Sequence, residues 1–340
     1  MSLIAKSALL AERLPLPDLL TEWGISRLVE SRRRVLEGAD AAERDFAAAM
    51  DRRAIAEFTA DANAQHYEVP AAFFDIVLGP RKKYSCCLYP TDTTGLAEAE
   101  EFALAETCAR AELADGQAIL ELGCGWGSLS LWMAERYPAA RITSVSNSHS
   151  QRAWIMGEAL ARGLGNLTVI TADMNDFATD GRFDRVVSVE MFEHMSNWRA
   201  LLTRVRSWLA PGGLVFLHVF SHRSQPYRFD HADKEDWIAQ HFFTGGVMPS
   251  HTLIRQFADI LEVEAEWQWN GVHYARTARD WLARMDANAD AVAAVLRPVY
   301  GRDLALWTRR WRLFFLATAG LFGHAGGHEW GISHWRLRAA

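Results

Sequence analysis

The stretch QAILELGCGWGS, residues 117–128, decides the fold because it joins a short apolar run to three glycines at alternate positions. Glycine lets the backbone adopt positive φ angles and approach a ligand closely, and a helix beginning just beyond would present its free N–H groups. The spacing GxGxG differs from the GxGxxG of dinucleotide-binding loops, and no lysine follows as in a phosphate loop. The stretch predicts a strand, a ligand-binding turn and a helix, and it disfavours NAD and ATP. A tight turn without a ligand is the alternative.

Beyond this loop, short apolar runs alternate with segments of helical periodicity. The predicted strands cover 117–123, 141–147, 167–173, 183–190 and 213–220, and the predicted helices between them cover 127–137, 149–163 and 196–209. Alternation of strands and helices is typical of a parallel sheet covered on both faces. The sequence therefore predicts an α/β fold with a Rossmann-like, doubly wound sheet.

The rest of the chain divides around this core. Residues 1–95 are predicted to form a helical N-terminal region and a loop-rich segment, and 96–220 to form the core. Residues 221–300 have mixed helix and loop patterns, predict a cap, and include FFTGGVMPS as a candidate lid. Residues 301–340 are predicted to return to the core with a helix and a last strand, GISHWRLRA.

Composition narrows the classes of function. The 340 residues are 50% hydrophobic and 23% charged, as in globular proteins, and the net charge of −6 argues against a nucleic-acid partner. No apolar run approaches the roughly 18 residues of a membrane span, and the N-terminus shows no signal-peptide pattern. Four cysteines without disulfide spacing favour the cytoplasm. Cys124, His149 and Asp176 lack metal-ligand spacing, so no metal site is predicted.

The stretch SVEMFEHM, residues 188–195, places Glu190, Glu193 and His194 directly after a predicted strand. Ligands of an open parallel sheet bind beyond the carboxyl ends of its strands. A carboxylate there would attract a protonated amine, and a nearby His or Glu could accept its proton. The structural alternatives are that the acids form salt bridges and that His218, in the strand 213–220, is a buried core histidine.

A series of motifs extends this interpretation. HYEVPAAFF, KYSCCLYP, LELGCGWGS, VEMFEH, LHVF and HYARTARDW follow one another along the chain. Together they resemble the cyclopropane-fatty-acyl-phospholipid synthase superfamily of S-adenosylmethionine (SAM)-dependent methyltransferases, and within it the coclaurine N-methyltransferase-like branch. The resemblance covers the chain from about residue 60 to the C-terminus.

The resemblance implies SAM as cofactor and a set of SAM-binding residues. The implied residues are Tyr84, Ser85, Gly123, Gly125, Trp126, Asn147, Ser148, Gln151, Asp173, Met174 and Asn175. Many methyltransferases end the second strand with an acid that binds the ribose. The strand end SVSNS has no acid, which agrees with this superfamily.

The resemblance also implies two alternative uses of the acid–histidine set. Cyclopropane synthases hold a bicarbonate ion, and the matching residues here are Cys86, Glu193, His218 and Tyr274. Those synthases usually carry glycine at the position of Glu190 and proline at that of Thr244. Both differences match the N-methyltransferase branch, in which Glu190, Glu193 and His194 would face the substrate amine.

The segment WTRRWRLFF, residues 307–315, combines basic and aromatic residues. It is predicted to be a helix that packs inward and lines a hydrophobic pocket, with a peripheral membrane contact as the alternative. The predicted pocket residues are Phe243, Trp311, Phe314, Phe315, Phe322 and Trp330.

These observations predict an enzyme that transfers a methyl group from SAM to an amine nitrogen of a bulky hydrophobic acceptor. The alternative is methyl or methylene transfer to an unsaturated phospholipid acyl chain, with bicarbonate as proton acceptor. A third hypothesis is a non-catalytic SAM- or lipid-binding protein.

Overall fold

The computed structural model describes residues 12, 14, 16–37, 43–57, 69–230, 232 and 236–340. Its centre is a seven-stranded sheet in the order β3-β2-β1-β4-β5-β9-β8. Its strands are β1 Ala118–Leu122, β2 Arg141–Ser146, β3 Leu167–Thr171, β4 Phe183–Val189, β5 Leu209–His222, β8 Leu261–Asn270 and β9 Trp330–Ala339. Strands β1 to β5 pair in parallel, whereas β9 is antiparallel to both of its neighbours.

Helices cover the sheet and continue beyond it. They are α1 Asp18–Glu37, α2 Glu43–Met50, α3 Ala71–Val77, α4 Leu96–Arg110, α5 Ser128–Arg136, α6 His149–Ala161, α7 Trp198–Trp208, α8 Trp237–His241, α9 Val272–Ala287, α10 Ala289–Tyr300 and α11 Leu304–Gly323. Two short strands, β6 Tyr227–Arg228 and β7 Val247–Met248, form a separate ribbon. The predicted α/β class and the Rossmann-like sheet are confirmed. The motif residues 66–68 and most of the predicted helical residues before 18 lie outside the described residues.

Local sequence explains the core elements. All five residues of β1, AILEL, are buried, as expected for a parallel strand that is covered on both faces. Helix α7 buries Leu201, Leu202 and Val205 on one face, which gives it the apolar stripe of a helix packed on a sheet. Its start is capped by Asn197, whose side chain accepts a hydrogen bond of 2.9 Å from the backbone N–H of Ala200.

Strand β8 lies within residues 221–300, where the sequence predicted mixed helix and loop, so that part of the prediction was wrong. Exposed glutamates alternate with apolar residues along β8, and glutamate is a poor strand former. Pairing with β9 nevertheless stabilises the strand. Ion pairs between the two strands add to this pairing: Glu264 pairs with Arg336 at 2.6 Å, and Glu262 pairs with Arg338 at 3.1 Å. Residues 261–270 therefore extend the core sheet.

A second, largely aromatic core lies between the sheet and helices α3, α9 and α11. Its largest fully buried side chains include Trp281, Trp311, Phe315 and Trp330. Across the ranges that the structure describes, no helix is both long and apolar enough to cross a membrane.

Candidate active site

A cavity of about 240 Å³ opens at the carboxyl ends of the parallel strands. Gly123 after β1, Asn147 after β2, Asp173 after β3 and Glu190 after β4 all line it. This is the place at which open α/β sheets bind their ligands. Residues of α9 and α11 form part of its wall.

The glycine loop leaves room on the cavity side of the backbone. Gly123 and Gly125 have φ angles of 81° and 51°, which side chains other than glycine rarely adopt. A Cβ atom on Gly123 would lie 2.4 Å from the side chain of Met191, whereas Gly125 faces open space. The side-chain donors Trp126 Nε1 and Ser128 Oγ line the cavity, and neither has a hydrogen-bond partner among the described residues. An open backbone and unused donors fit a polar cofactor such as SAM.

Nine of the eleven predicted SAM-binding residues line the cavity. They are Tyr84, Ser85, Gly123, Gly125, Trp126, Asn147, Gln151, Asp173 and Met174. The exceptions are Asn175, whose side-chain amide hydrogen-bonds to the backbone of Ala56, and Ser148. Ser148 is buried. It caps α6 by accepting a hydrogen bond of 3.3 Å from the backbone N–H of Gln151. Its hydroxyl is therefore used to begin the helix.

Sequence reasoning missed Glu121, the acid that opens the motif ELGCGWG. Its side chain is buried beneath the glycine loop and lines the cavity. The hydroxyls of Ser130 and Ser144 donate hydrogen bonds to it. Burial raises the pKa of Glu121 to about 7, against the lowering effect of those two hydrogen bonds.

Sequence reasoning also missed Lys83. Its place in RKKYSCC, directly before the predicted SAM-binding residues Tyr84 and Ser85, was the signal that could have identified it. Only 2% of its surface is exposed. Its Nζ atom donates to Ser85 Oγ at 2.5 Å and to the Cys86 carbonyl oxygen at 2.8 Å. A buried ammonium group with these partners fixes the segment that precedes the sheet against the cavity.

Glu190 is the centre of the site. Its φ angle is +49°, a strained value for a residue with a side chain. Its Oε1 atom accepts a hydrogen bond of 2.8 Å from the backbone N–H of Cys86 and lies 3.3 Å from His218 Nε2. Its Oε2 atom accepts one of 2.6 Å from the Tyr274 hydroxyl. Burial raises the pKa of Glu190, whereas the charge of Lys83 and the bonds from Cys86 and Tyr274 oppose that rise.

The side chain of Glu193 points away from the cavity, toward the backbone of Phe220. Its side chain is fully buried and does not line the cavity. Its Oε1 atom accepts a hydrogen bond of 2.6 Å from the backbone N–H of Phe220, while Oε2 has no partner within the described part of the chain. Burial, and then the charge of Glu190, raise the pKa of Glu193 well above its ordinary range.

The ion-binding set implied by the resemblance is therefore arranged differently. Cys86, His218 and Tyr274 gather around Glu190 and not around Glu193. The carboxylate of Glu190 already engages the donors that a small planar anion would need. The arrangement does not fit a bicarbonate ion at this place.

Two histidines from the prediction have different positions. His194 lines the cavity, and its ring centroid lies 4.5 Å from that of Phe243. His218 is fully buried behind Glu190. Burial lowers the pKa of His218 well below its ordinary value, and the positive charges of Lys83 and Arg110 lower it further. His218 therefore contacts the site only through Glu190.

The aromatic wall contains three of the six predicted pocket residues, Phe243, Phe314 and Phe322. Trp311, Phe315 and Trp330 are instead buried in the aromatic core. The α11 side chains that line the cavity are Phe314, Thr318, Leu321 and Phe322. Their spacing of three and four residues is that of one helix face.

The comparisons with known proteins agree with this geometry. The profile of the family described as "Mycolic acid cyclopropane synthetase" matches residues 56–325. The chain belongs to this family. One relative, (S)-coclaurine N-methyltransferase from Thalictrum flavum subsp. glaucum, is 37% identical to this chain. The match covers 79% of this chain and 76% of the relative's own length. Cyclopropane-fatty-acyl-phospholipid synthase from Escherichia coli (strain K12) is 30% identical over 65% of the chain and 55% of its own length.

Solved structures give the same assignment. A coclaurine N-methyltransferase bound to N-methylheliamine and S-adenosylhomocysteine superimposes with a TM-score of 0.92 at 31% identity, covering 99% of this chain and 100% of that one. The cyclopropane synthase MmaA2 from Mycobacterium tuberculosis shares the fold, with a TM-score of 0.71 at 21% identity over 83% of this chain and 98% of that one. This family member is a SAM-dependent methyltransferase.

Proposed function

We propose that the enzyme methylates an amine nitrogen of a bulky, hydrophobic, alkaloid-like acceptor. The observation that carries the proposal is the anchored carboxylate of Glu190. The backbone N–H of Cys86 and the hydroxyl of Tyr274 donate to it, and His218 Nε2 lies 3.3 Å from it. It lies on the wall of the cavity that also contains the glycine loop.

A fixed negative charge in an apolar cavity suits a cationic acceptor. Glu190 is already oriented, so little reorganisation is needed when an ammonium group approaches. Phe243, Phe314 and Phe322 provide aromatic surface in the same cavity, and aromatic faces attract cations and cover apolar rings. The combination favours an amine within a hydrophobic framework over a neutral alkene.

Bound SAM would supply a methyl group on a positively charged sulfur. The cavity residues would place the acceptor nitrogen in line with that methyl group, and such positioning accounts for much of catalysis in displacement reactions. The nitrogen must first lose a proton. We assign the acceptance of that proton to His194, because it lines the cavity while Glu193 and His218 do not. Glu190 would stabilise the imidazolium that forms.

The comparisons support an amine acceptor. Relatives at 30% identity or more are named for N-methylation of coclaurine, pavine and tetrahydroprotoberberine. The relative named for lipid modification covers less of the chain, and the donors implied for its bicarbonate are engaged by Glu190. We also propose a cytoplasmic location, which the four free, buried cysteines support.

SAM with a fully deuterated methyl group tests the proposal. The enzyme would be incubated with cyclic amines fused to aromatic rings and with vesicles of unsaturated phospholipid, and the products analysed by mass spectrometry. An amine product that keeps all three deuterium atoms is expected. A phospholipid product that keeps only two, without amine methylation, would overturn the proposal. Glu190→Gln and His194→Asn should lower the amine product, while Glu262→Gln, on the exposed side of β8, should not.

A further inference from the structure

We infer that Glu12 is a positioning residue of the acceptor side of the cavity, because its buried carboxylate joins helix α8 to helix α11. The inference deepens the proposed function and rests on it for the identity of the acceptor. Glu12 itself does not line the cavity. It acts through the two helices, both of which contribute to the cavity wall.

Helices α8 and α11 carry part of the apolar wall. Ile238 lies on α8, Phe243 lies just beyond its end, and Phe314 lies on α11. The two helices meet where the ring of Phe242 stacks on that of Phe314, with ring centroids 4.5 Å apart and an angle of 19° between the planes. The position of α8 against α11 therefore sets the width of this part of the cavity.

Helix α8 is too short to hold that position by itself. It has five residues, Trp237–His241, and so short a helix is not stable on its own hydrogen bonds. The backbone N–H groups of Phe242 and Phe243 both donate to the carbonyl oxygen of Ile238 at 2.8 Å. Contacts from outside the helix are needed to keep it against α11.

Glu12 makes such contacts to both helices. Its side chain is 3% exposed. Its Oε2 atom accepts hydrogen bonds of 3.2 Å from Trp237 Nε1 on α8 and of 3.0 Å from Arg310 Nε on α11. His241 Nε2, one turn beyond Trp237, lies 3.7 Å from the same oxygen. Its Oε1 atom accepts a bond of 3.4 Å from Arg310 Nη2. One carboxylate thus bridges α8 and α11.

The surroundings of Glu12 suit an ionised carboxylate. Arg309 Nε donates to its backbone carbonyl oxygen at 2.7 Å, so main chain and side chain are both held. Burial raises the pKa of Glu12, but the hydrogen bonds from Arg310 and Trp237 and the charge of Arg310 outweigh that effect and lower the pKa overall. Removing one partner of an ion pair that is buried to this degree leaves the other charge without compensation.

The same contacts account for the basic segment WTRRWRLFF, residues 307–315. Its arginines pair with acids of the same chain: Arg310 with Glu12 at 3.0 Å, and Arg312 with Asp18 at 2.9 Å and Asp286 at 2.7 Å. Positive charge in this segment is therefore balanced within the protein. The segment fastens the N-terminal region to α11, which favours packing over contact with a membrane surface.

Loss of the Glu12 charge should loosen α8. In Glu12→Gln the side chain keeps its shape, but it cannot balance Arg310 and its NH₂ group is a donor among donors. Ile238 and Phe243 are then less firmly fixed against Phe314. Binding of the acceptor would have to order α8, and that ordering weakens binding. The glycine loop follows β1 and belongs to neither helix, so binding of SAM should not change.

Hydrogen exchange measures the loosening without any acceptor. The full-length enzyme would be exchanged in deuterated water and digested, and peptides covering residues 237–243 analysed by mass spectrometry. The amides of Phe242 and Phe243 report on α8 because both bond to Ile238. In Glu12→Gln we expect their exchange to become about tenfold faster or more, while exchange in α6 stays as in the wild type.

Steady-state kinetics measure the effect on the acceptor. With a benzyl-substituted tetrahydroisoquinoline as the amine, Glu12→Gln should raise the KM for the amine about tenfold, with the KM for SAM and kcat close to wild type. Trp237→Phe removes only the indole N–H and should change exchange and KM in the same direction. In the double variant the two effects should be less than multiplicative, because both changes break the same contact.

Asp18→Asn is the matched control. Asp18 also lies in the N-terminal region and pairs with an arginine of α11, Arg312, at 2.9 Å. Arg312 keeps a second acid in this variant, since it also pairs with Asp286. Neither Asp18 nor Arg312 lines the cavity. The control should keep the wild-type exchange of α8 and the wild-type KM values.

The inference is overturned if Glu12→Gln leaves the exchange of α8 unchanged, or if an amine is methylated and its KM rises no more than the KM for SAM. If Glu12→Gln does not fold, Trp237→Phe replaces it in both measurements. If α8 exchanges faster but no amine is methylated, the proposed function fails while the role of Glu12 in holding α8 stands. The two claims are thus tested separately.

Discussion

The hydroxyl of Tyr274 lies 2.6 Å from the carboxylate of Glu190, although 84 positions separate the two residues in the chain. The contact brings helix α9 against the carboxyl end of β4. It joins the segment after the core sheet to the wall of the cavity, and it helps keep a buried carboxylate ionised.

Tyr274→Phe should weaken the enzyme in a pH-dependent way. The pKa of Glu190 is already raised by burial, and the Tyr274 hydroxyl opposes that rise. Its loss should raise the pKa of Glu190 further, so the acid limb of kcat/KM should move to higher pH. We expect kcat/KM to fall about 10- to 100-fold at neutral pH, measured from pH profiles of methylation. Tyr89→Phe is the control, since Tyr89 donates at 2.8 Å to Asp280; equal shifts in both variants would contradict the assignment.

Glu190→Gly should remove the charge and leave its donors in place. We expect amine methylation to fall by at least about 100-fold. Because the Cys86 N–H, His218 and the Tyr274 hydroxyl then face an empty position, formate or bicarbonate should restore part of the activity and raise the Tm. Glu190→Gln fills that position and should show no such rescue. Identical responses of the two variants to formate would argue against the donor set described here.

Glu121→Gln should flatten the pH dependence of stability. The pKa of Glu121 is about 7 in the folded protein against an ordinary 4.5. The contribution of the protonated group to the free energy of unfolding is thus complete below about pH 4.5 and is lost as the pH rises through 7, a change of about 3 kcal/mol. Denaturant unfolding at about pH 5 and about pH 8 measures the difference between wild type and variant. Parallel pH curves for the two proteins would show that Glu121 does not titrate in this range.

Phe314→Ala and Phe315→Ala should have different effects although the residues are adjacent. Phe314 lines the cavity, whereas Phe315 is 1% exposed in the aromatic core. Phe314→Ala should raise the KM for the acceptor about tenfold with a moderate loss of stability. Phe315→Ala should lower the free energy of unfolding by about 3–5 kcal/mol with little change in KM. Steady-state kinetics and denaturant unfolding separate the two effects, and a larger KM effect for Phe315→Ala would contradict the orientation of α11.

The sheet and the glycine loop could be predicted because their signals are local. A strand, three glycines and a helix follow one another within residues 117–136, so no distant contact is needed to recognise them. Strand β8 also carries a local signal, because apolar and polar residues alternate along LEVEAEWQWN, residues 261–270. Its glutamates weaken that signal, since glutamate has a low strand propensity. Its pairing with β9 and its ion pairs with Arg336 and Arg338 appear only in the folded chain.

The site itself could be predicted as a set of residues but not as an arrangement. Glu190 and Glu193 are three positions apart after the same strand, yet only Glu190, whose φ angle is +49°, lines the cavity. Nothing in SVEMFEHM encodes that angle. The orientation of α11 was predicted only in part for a related reason. Apolar residues such as Trp311, Phe314 and Phe315 lie on several faces of this helix, and the periodicity does not select one face.

The left-handed backbone at Glu190 has a consequence for how the site keeps its anion. A dissolved anion occupies a site only in proportion to its concentration, whereas a side chain is present at an effective concentration set by covalent attachment. By accepting backbone strain of about 1–3 kcal/mol at one residue, this chain carries its anion as part of the polypeptide. Its turnover should therefore be indifferent to the supply of inorganic carbon around it.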